Sequence, residues 1–199
     1  MKQLVYYIKK NAKNQGVKIR LTPYKNINFN GSRINGYFDC ENKILQVATK
    51  KKFKEWFFVF IHEAAHLFQW IEKDKSLKPL IDKRGNDISY KIDDWMNGGN
   101  VAEIQKIMLN TYRMELNCEK RAVSLIKKFN VKINVEEYIQ KANAYMCYHF
   151  LMLEFRKRYK SGKEPWSISK IWKTMPKRLN VNHQKIYEQN KDLFILCLK

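Results

Sequence analysis

Five consecutive residues, His62-Glu63-Ala64-Ala65-His66, combine two metal-binding side chains with one that accepts protons. A helix places residues i and i+4 on the same face, so two imidazoles at this spacing can bind one ion. Glu63 would then lie beside the ion, where its carboxylate can take a proton from a bound water molecule. The pattern predicts a hydrolytic zinc site.

The residues around this pentapeptide are typical of a buried helix. Between Trp56 and His66 there is no Pro or Gly, and Glu63 is the only acidic or basic residue apart from the histidines. Apolar residues in and around this segment include Phe53, Trp56, Phe57, Val59, Phe60, Ile61, Leu67 and Phe68. Burying a carboxylate and two imidazoles is costly unless something compensates, and a metal ion would do so. The alternative is a core helix whose histidines bond to backbone carbonyls.

A catalytic zinc ion needs a third protein ligand and leaves its fourth position to water. Glu115, Glu119 and Ala122 follow the spacing i, i+4 and i+7, which places them on one face of a long predicted helix. The small alanine would let this helix pack closely against the histidine helix. The alternative is that the two glutamates belong to a solvated charged face together with Lys120 and Arg121.

The two motifs together, His62-Glu-x-x-His66 and Glu115-x-x-Cys-Glu119-x-x-Ala122, resemble the gluzincin clan of metallopeptidases over roughly residues 40 to 125. The chain is most similar to the small members of that clan, including bacterial and phage peptidases that cleave immunity repressors. The resemblance implies a zincin-like fold and a protein or peptide substrate. It also implies substrate binding by strand addition along residues 44–49, the strand before the histidine helix.

The resemblance also implies a role for each motif residue. His62, His66 and Glu115 would bind Zn²⁺, Glu63 would be the general base, and Glu119 would orient a ligand histidine through its other ring nitrogen. Cys118 stands where this clan usually has alanine, and Glu119 is longer than the commoner Asp or Asn. Either glutamate therefore remains a candidate for the third ligand.

Neither motif supplies the side chain that would donate a hydrogen bond to the tetrahedral oxyanion. Tyr145 is our candidate for this role, with Tyr112, Tyr148 and His149 as alternatives. Aromatic residues at such spacing also occur in ordinary helix cores, which is the competing interpretation. His149 is in addition an alternative third ligand.

The formal charge of +20 arises from 39 Lys and Arg against 19 Asp and Glu. No acidic residue precedes Asp39, and residues 156–178 contain many Lys and Arg but only one acidic residue, Glu164. Three aromatic residues are interleaved with these charges: Tyr159, Trp166 and Trp172. Such a segment could follow a phosphate backbone and stack on bases, so nucleic acid is a candidate partner. The alternative is a solvated surface on a protein whose Lys and Asn content follows an AT-rich genome.

Hydrophobic periodicity predicts an α+β fold with a small, mostly antiparallel sheet, an active-site helix and a helical C-terminal half. Predicted helices cover 2–15, 51–72, 100–129, 134–160 and 183–197. A strand at 17–21 and a hairpin of 37–40 with 44–47 precede the histidine helix, and 73–98 is a loop. Asn100 with Glu103, and Asn134 with Glu137, have capping-box spacing at two helix starts.

Length and composition indicate a globular protein. A chain of 199 residues without repeats or low-complexity tracts fits a zincin-like catalytic domain over 1–160 with a basic helical extension over 161–199 packed on it. The first apolar run is too short for a signal peptide, and no segment has membrane-spanning length. We therefore expect a soluble cytoplasmic protein with no membrane partner. The four cysteines lack CxxC spacing, which favours thiols over disulfides or a second zinc site.

Overall fold

The structure is a computed structural model that describes residues 1–29 and 32–199, and it confirms the α+β class. The helices are α1 (Lys2–Asn14), α2 (Phe53–Ile71), α3 (Lys91–Met96), α4 (Ile104–Lys128), α5 (Val135–Phe155), α6 (Ser169–Trp172) and α7 (His183–Ile195). The strands are β1 (Lys18–Thr22), β2 (Ile27–Phe29), β3 (Ser32–Ile34), β4 (Gly36–Asp39) and β5 (Ile44–Ala48). A short 3-10 helix covers Lys78–Leu80. None of the helices described has both the length and the apolar character needed to cross a lipid bilayer.

The chain forms two compact units. Unit 1 comprises Met1–Lys75 and Cys118–Ile133, and unit 2 comprises Ser76–Asn117 and Asn134–Lys199. The boundary between Asn117 and Cys118 falls inside α4, which is one unbroken helix of 25 residues. The catalytic domain over 1–160 and the extension over 161–199 stay a prediction.

The three-stranded sheet of unit 1 has β5 at its centre. β1 pairs with β5 in parallel and β4 pairs with it antiparallel, while β2 and β3 form a separate antiparallel pair. The predicted hairpin of β4 and β5 is confirmed. Strand addition along 44–49 is wrong, because the backbone groups of β5 already bond to a strand on each side. The Thr49 N–H likewise donates to the Thr22 carbonyl.

Glycine at position 36 lets the sheet lie close to the histidine helix α2. A Cβ atom there would lie 2.7 Å from Val59 Cγ1 and 3.0 Å from the Gln46 carbonyl oxygen. On β5, Leu45 and Val47 are fully buried. Close approach of α2 to the sheet therefore depends on the missing side chain at Gly36.

α2 begins and ends within one residue or two of its predicted bounds and is buried on most of its circumference. Its buried apolar residues are Phe57, Phe58, Phe60, Ile61, Ala64, Ala65, Leu67 and Phe68. Tyr7 of α1 stacks on Phe68 with ring centroids 5.4 Å apart, and Phe129 lies 5.0 Å from Tyr7. A helix buried in this way holds its polar residues in fixed positions, which a metal or catalytic site requires.

Two helix boundaries differ from the prediction. α4 begins at Ile104, and Glu103 has a left-handed φ of 58°, so the capping box of Asn100 and Glu103 does not form. α5 ends at Phe155 instead of 160, because Arg156 adopts φ 51°. The guanidinium of Arg156 donates to the Trp95 and Gly99 carbonyls, a tertiary contact that fixes this turn.

The capping prediction for α5 is confirmed, since the Asn134 side chain accepts from the Glu137 N–H at 3.0 Å. α5 packs against α7 within unit 2, and Leu151, Ile171 and Phe194 are fully buried there.

The predicted loop 73–98 contains the 3-10 helix and α3, which sequence patterns did not reveal. None of the four cysteines forms a disulfide.

Candidate metal centre

The two histidines of α2 converge on one point. His62 and His66 have ring centroids 4.7 Å apart with nearly perpendicular planes, and their Nε2 atoms are separated by 3.2 Å. Two nitrogens bound to one zinc ion at about 2.0–2.1 Å in tetrahedral geometry lie about 3.3 Å apart. The observed separation therefore fits a pair of ligands to a single ion.

The other nitrogen of each ring contacts a hydrogen-bond acceptor. His62 Nδ1 lies 3.0 Å from Glu119 Oε1, and His66 Nδ1 lies 2.8 Å from Gln69 Oε1. A carboxylate and an amide oxygen can only accept, so both Nδ1 atoms donate. In neutral rings both Nε2 atoms then carry lone pairs that face each other. A shared cation is the natural occupant between them.

A group of four residues could hold a metal ion. His62, His66, Glu115 and Cys118 each offer a ligand atom, and these atoms lie within 4.8 Å of one another. Glu115 belongs to the same unbroken helix as Cys118 and precedes it by three residues, so the helix itself sets its position. Imidazole, carboxylate and thiolate together are a donor set that suits Zn²⁺.

The two glutamates of α4 are separated by one turn and have different surroundings. Both are buried, with 8% of Glu115 and 4% of Glu119 exposed. The carboxylate of Glu119 lies at the Nδ1 side of His62, away from the Nε2 pair, whereas Glu115 belongs to the group of candidate ligands. This geometry favours Glu115 over Glu119 as a ligand.

Cys118 is a candidate ligand that the sequence analysis did not consider. Its side chain is fully buried, and Sγ lies 3.4 Å from the His62 carbonyl oxygen and 3.7 Å from His62 Nδ1. In the sequence, Cys118 stands at a position where the gluzincin clan usually has alanine. Thiolate is a strong zinc ligand, and a cysteine three residues after Glu115 shares its helix face, which is the signal that could have identified it.

Burial lowers the pKa of His62, but the nearby Cys118 and Glu119 outweigh it, so the pKa lies well above the usual 6.5. A negative charge close to an imidazole favours the protonated ring. In the metal-free chain, a proton would therefore occupy the position that a cation would otherwise take. Proton and metal compete for the same ring.

An ion-pair cluster holds α4 to the end of α2. The guanidinium of Arg121 binds both Glu72, the residue that follows α2, and Asp74. Arg121 follows Glu119 by two residues, so two contacts join the same stretch of α4 to α2 and its end. The candidate ligands are thus carried by two helices that are fixed at two points.

Glu63 lies next to His62 on α2 and is buried, with 8% of its surface exposed. Successive helical residues are rotated by about 100°, so its side chain leaves the helix beside the histidine pair instead of along it. The role of Glu63 as general base stays a prediction.

The candidates for the oxyanion donor all lie in unit 2. The Tyr145 ring lies 5.0 Å from His149 and 5.2 Å from Trp166, and the His149 Nδ1 donates to the Tyr145 carbonyl at 3.1 Å. Tyr148 is 2% exposed, and burial raises its pKa. The role of Tyr145 and the alternatives of Tyr148 and His149 stay predictions.

Tyr112 takes part in a different polar cluster. The side-chain amide of Asn143 donates to the Pro176 and Arg178 carbonyls, so its oxygen accepts from His183 Nε2 at 2.8 Å. His183 Nδ1 then accepts from the Tyr112 hydroxyl at 2.8 Å. Burial raises the pKa of Tyr112 to about 12, which keeps this hydroxyl a donor.

No protein-family model matches the chain, and no curated protein or solved structure is significantly similar to it.

Proposed function

We propose that this protein is a zinc-dependent metallopeptidase that hydrolyses peptide bonds of an intracellular protein. The observation that carries the proposal is the convergence of His62 Nε2 and His66 Nε2 at 3.2 Å, with the buried Glu63 next to His62 in the sequence. Both Nδ1 atoms contact acceptors that fix the tautomer needed for ligation, a feature of functional histidine ligands. We assign the chain a zincin-like fold and a place in the gluzincin clan on the same residues.

Each residue has a role in the proposed reaction. When bound, zinc supplies a Lewis acid and lowers the pKa of a water molecule toward neutrality. Glu63 accepts the proton of that water and delivers it to the leaving nitrogen, which prevents the amine from leaving as an anion. Glu115 is the third ligand, and Tyr145 donates to the developing oxyanion.

Glu119 and Gln69 are positioning residues in this scheme. Each accepts a hydrogen bond from the Nδ1 atom of a ligand histidine, at 3.0 and 2.8 Å respectively. The acceptor fixes the ring orientation and leaves the Nε2 lone pair directed at the site. The carboxylate of Glu119 also raises the basicity of His62, which strengthens ligation.

Cys118 favours a second candidate function. If Cys118 were a fourth ligand beside His62, His66 and Glu115, the site would be closed to water, as structural zinc sites are. The protein would then be a basic, non-enzymatic protein that binds nucleic acid or a host factor. The presence of Glu63 argues for the enzyme, because a structural site does not need a general base.

The decisive experiment compares new protein termini in cells that express wild type, Glu63→Gln or Glu55→Gln. Glu55 lies on the same helix but is exposed, so its variant is a matched control for the loss of one carboxylate. We expect the same new termini in wild type and Glu55→Gln, and none in Glu63→Gln, which should still bind zinc. Identical termini in all three would contradict the proposal.

Cobalt substitution separates the two candidate functions. A thiolate bound to Co²⁺ gives an intense near-ultraviolet charge-transfer absorption, whereas imidazole and carboxylate ligands do not. The peptidase proposal predicts no such band in wild type and an unchanged spectrum in Cys118→Ser. A strong band that disappears in Cys118→Ser would show a closed site and support the structural alternative.

A further inference from the structure

The basic segment 156–178 has structural uses for its charges. Arg156 donates to two carbonyls, Arg158 pairs with Asp93, and Lys160 donates to the Lys199 carbonyl. Its aromatic residues are also packed inside unit 2, with the Tyr159 and Trp166 rings 5.3 Å apart. Rings in such packing are not available for stacking on bases.

The excess positive charge is greater in unit 1. Unit 1 contains 20 Lys and Arg against seven Asp and Glu, whereas unit 2 contains 19 against 12. Residues 1–38 alone contain eight Lys and Arg and no acidic residue. Among the residues that the structure describes, no ion pair involves a basic side chain of this stretch. These charges are available to an external partner.

A groove of about 380 Å³ lies between α1 and β1. Three exposed lysines line it, Lys9, Lys13 and Lys18, above an apolar floor that includes Ala12 and Val17. The groove is thus concave, apolar at its base and positively charged along its rim. That combination suits a flexible anionic chain with apolar rings.

β1 continues from this groove to a group of exposed aromatic residues. It is an edge strand, and Arg20 is exposed between Lys18 at its start and Tyr24 beyond its end. The strand has five residues and is about 16 Å long, and the chain bends at Tyr24, whose N–H donates to the Thr22 carbonyl. Tyr24 is 63% exposed, and its carbonyl accepts from the Lys50 N–H at 3.0 Å.

The first turn of α2 adds to this end of the surface. Phe53 is 46% exposed and follows Lys50 by three residues, with the exposed Lys52 between them. One side of the Phe53 ring stacks on Phe57 at 5.1 Å, which holds the ring in place. Exposed basic residues are therefore followed by an exposed ring twice, at Tyr24 beyond β1 and at Phe53 at the start of α2.

We propose that this surface, formed by Lys9, Lys13, Lys18, Arg20, Tyr24, Lys50, Lys52 and Phe53, binds single-stranded nucleic acid. Lysine ammonium groups bind phosphates, and exposed rings stack on bases irrespective of sequence. An anionic membrane would also attract lysines, but it contacts protruding surfaces, whereas the lysines here line a concave groove. The proposal is independent of the proposed peptidase activity.

The test uses the full-length protein and a fluorescein-labelled oligonucleotide of 20 thymidines, with anisotropy measured across a salt series. We expect Lys9, Lys13, Lys18 and Arg20 changed together to Gln to weaken binding and to reduce the log-log salt slope by about 0.7 for each lost phosphate contact. Tyr24→Ala should weaken binding by about tenfold with an unchanged slope, because stacking releases no counterions.

A matched control has Lys157, Lys163, Lys170 and Arg178 changed to Gln, which removes the same number of exposed charges from segment 156–178. Zinc content and thermal unfolding verify that all variants fold. Loss of affinity in the unit 1 variant alone supports the proposal. Equal losses of affinity in both charge variants would overturn the proposal. So would tighter binding to a duplex of the same length that Tyr24→Ala does not weaken. Binding to anionic vesicles but not to the oligonucleotide would also overturn it.

Discussion

Histidines with protein hydrogen-bond partners occur in both units, and their hydrogen bonds differ in one respect. In unit 2, His183 is 1% exposed and both its ring nitrogens contact protein partners, Asn143 and Tyr112. In unit 1, His62 and His66 each have one nitrogen at an acceptor, and the remaining nitrogens face each other at 3.2 Å. In the first arrangement both ring nitrogens bond to uncharged protein groups, whereas the second brings two Nε2 atoms to a separation that suits a shared proton or metal ion.

The difference shows how a structural histidine can be distinguished from a metal ligand without relatives to compare. The presence of protein contacts does not separate them, since histidines in both units have hydrogen-bond partners. The donor and acceptor roles of the ring nitrogens do separate them. Because the Asn143 amide nitrogen donates to two carbonyls, the Asn143 oxygen must accept from His183 Nε2, which leaves His183 Nδ1 as an acceptor. No such assignment places a donor between the two Nε2 atoms of unit 1 when both rings are neutral.

The largest expected effect is the loss of zinc from the unit 1 pair. His62→Ala and His66→Ala should each fail to retain zinc after dialysis, because two remaining ligands hold the ion poorly. His183→Gln should bind one equivalent while unfolding at a lower temperature. Metal analysis with thermal unfolding on the same samples checks this. Zinc loss in His183→Gln equal to that in His62→Ala would remove the distinction between the two units.

Glu119→Ala should weaken zinc affinity by about ten- to a hundredfold, because His62 loses the acceptor that orients its ring. Glu119→Gln should be milder, since its amide oxygen can still accept from Nδ1. Competition with a chelator measures both variants, and Glu115→Ala provides the comparison because it removes a proposed ligand. Full zinc binding in Glu115→Ala with none in Glu119→Ala would exchange the two roles.

Tyr112→Phe should lower the free energy of unfolding by about 1–3 kcal/mol, because the buried Nδ1 atom of His183 loses its donor. Zinc affinity should not change. Chemical denaturation with and without zinc measures both quantities. Tyr6→Phe is the control, since Tyr6 is 68% exposed and its variant should stay within about 0.5 kcal/mol of wild type. A comparable loss in Tyr6→Phe would indicate that the hydrogen bond to His183 is not the cause.

The smallest expected effect is a shift in the pH range over which zinc begins to raise the unfolding temperature. The pKa of His62 is raised in the metal-free fold, so protonation stabilises that fold below the usual histidine pKa, and this is lost as pH rises through the raised value. Zinc needs the deprotonated Nε2, so its effect on the unfolding temperature should increase over the same range. Glu119→Gln should move this increase to lower pH. An increase at the same pH in both proteins would contradict the role of Glu119.

Local sequence patterns predicted the elements that carry the site. The apolar run around the histidines gave α2 to within two residues, and the spacing of Glu115 and Glu119 placed both on one helix. The interpretation of Cys118 was incomplete, because it compared the volume of the side chain with that of alanine and did not consider that the thiol can bind a metal. Hydrogen bonds such as those from the two histidines to Gln69 and Glu119 depend on side-chain rotamers, which spacing does not specify.

Errors in the fold arose where distant residues decide the local structure. β1 pairs in parallel with β5 across 26 positions of sequence, and this pairing covers the strand edge that was expected to bind substrate. The turn after α5 depends on carbonyls of Trp95 and Gly99, about 60 positions away. Neither contact produces a hydrophobic periodicity that could be detected in the sequence.

The two-point attachment of α4 to α2, through Glu119 with His62 and through Arg121 with Glu72 and Asp74, has a kinetic consequence. Helices fixed at two points cannot rotate about a single contact, so the ligands stay in place before an ion arrives. Ion capture would then be limited by dehydration of the ion and by proton release from His62, instead of by ordering of the chain. Exchange of one divalent ion for another should proceed without unfolding, which would make the protein suitable for substitution with spectroscopic metals.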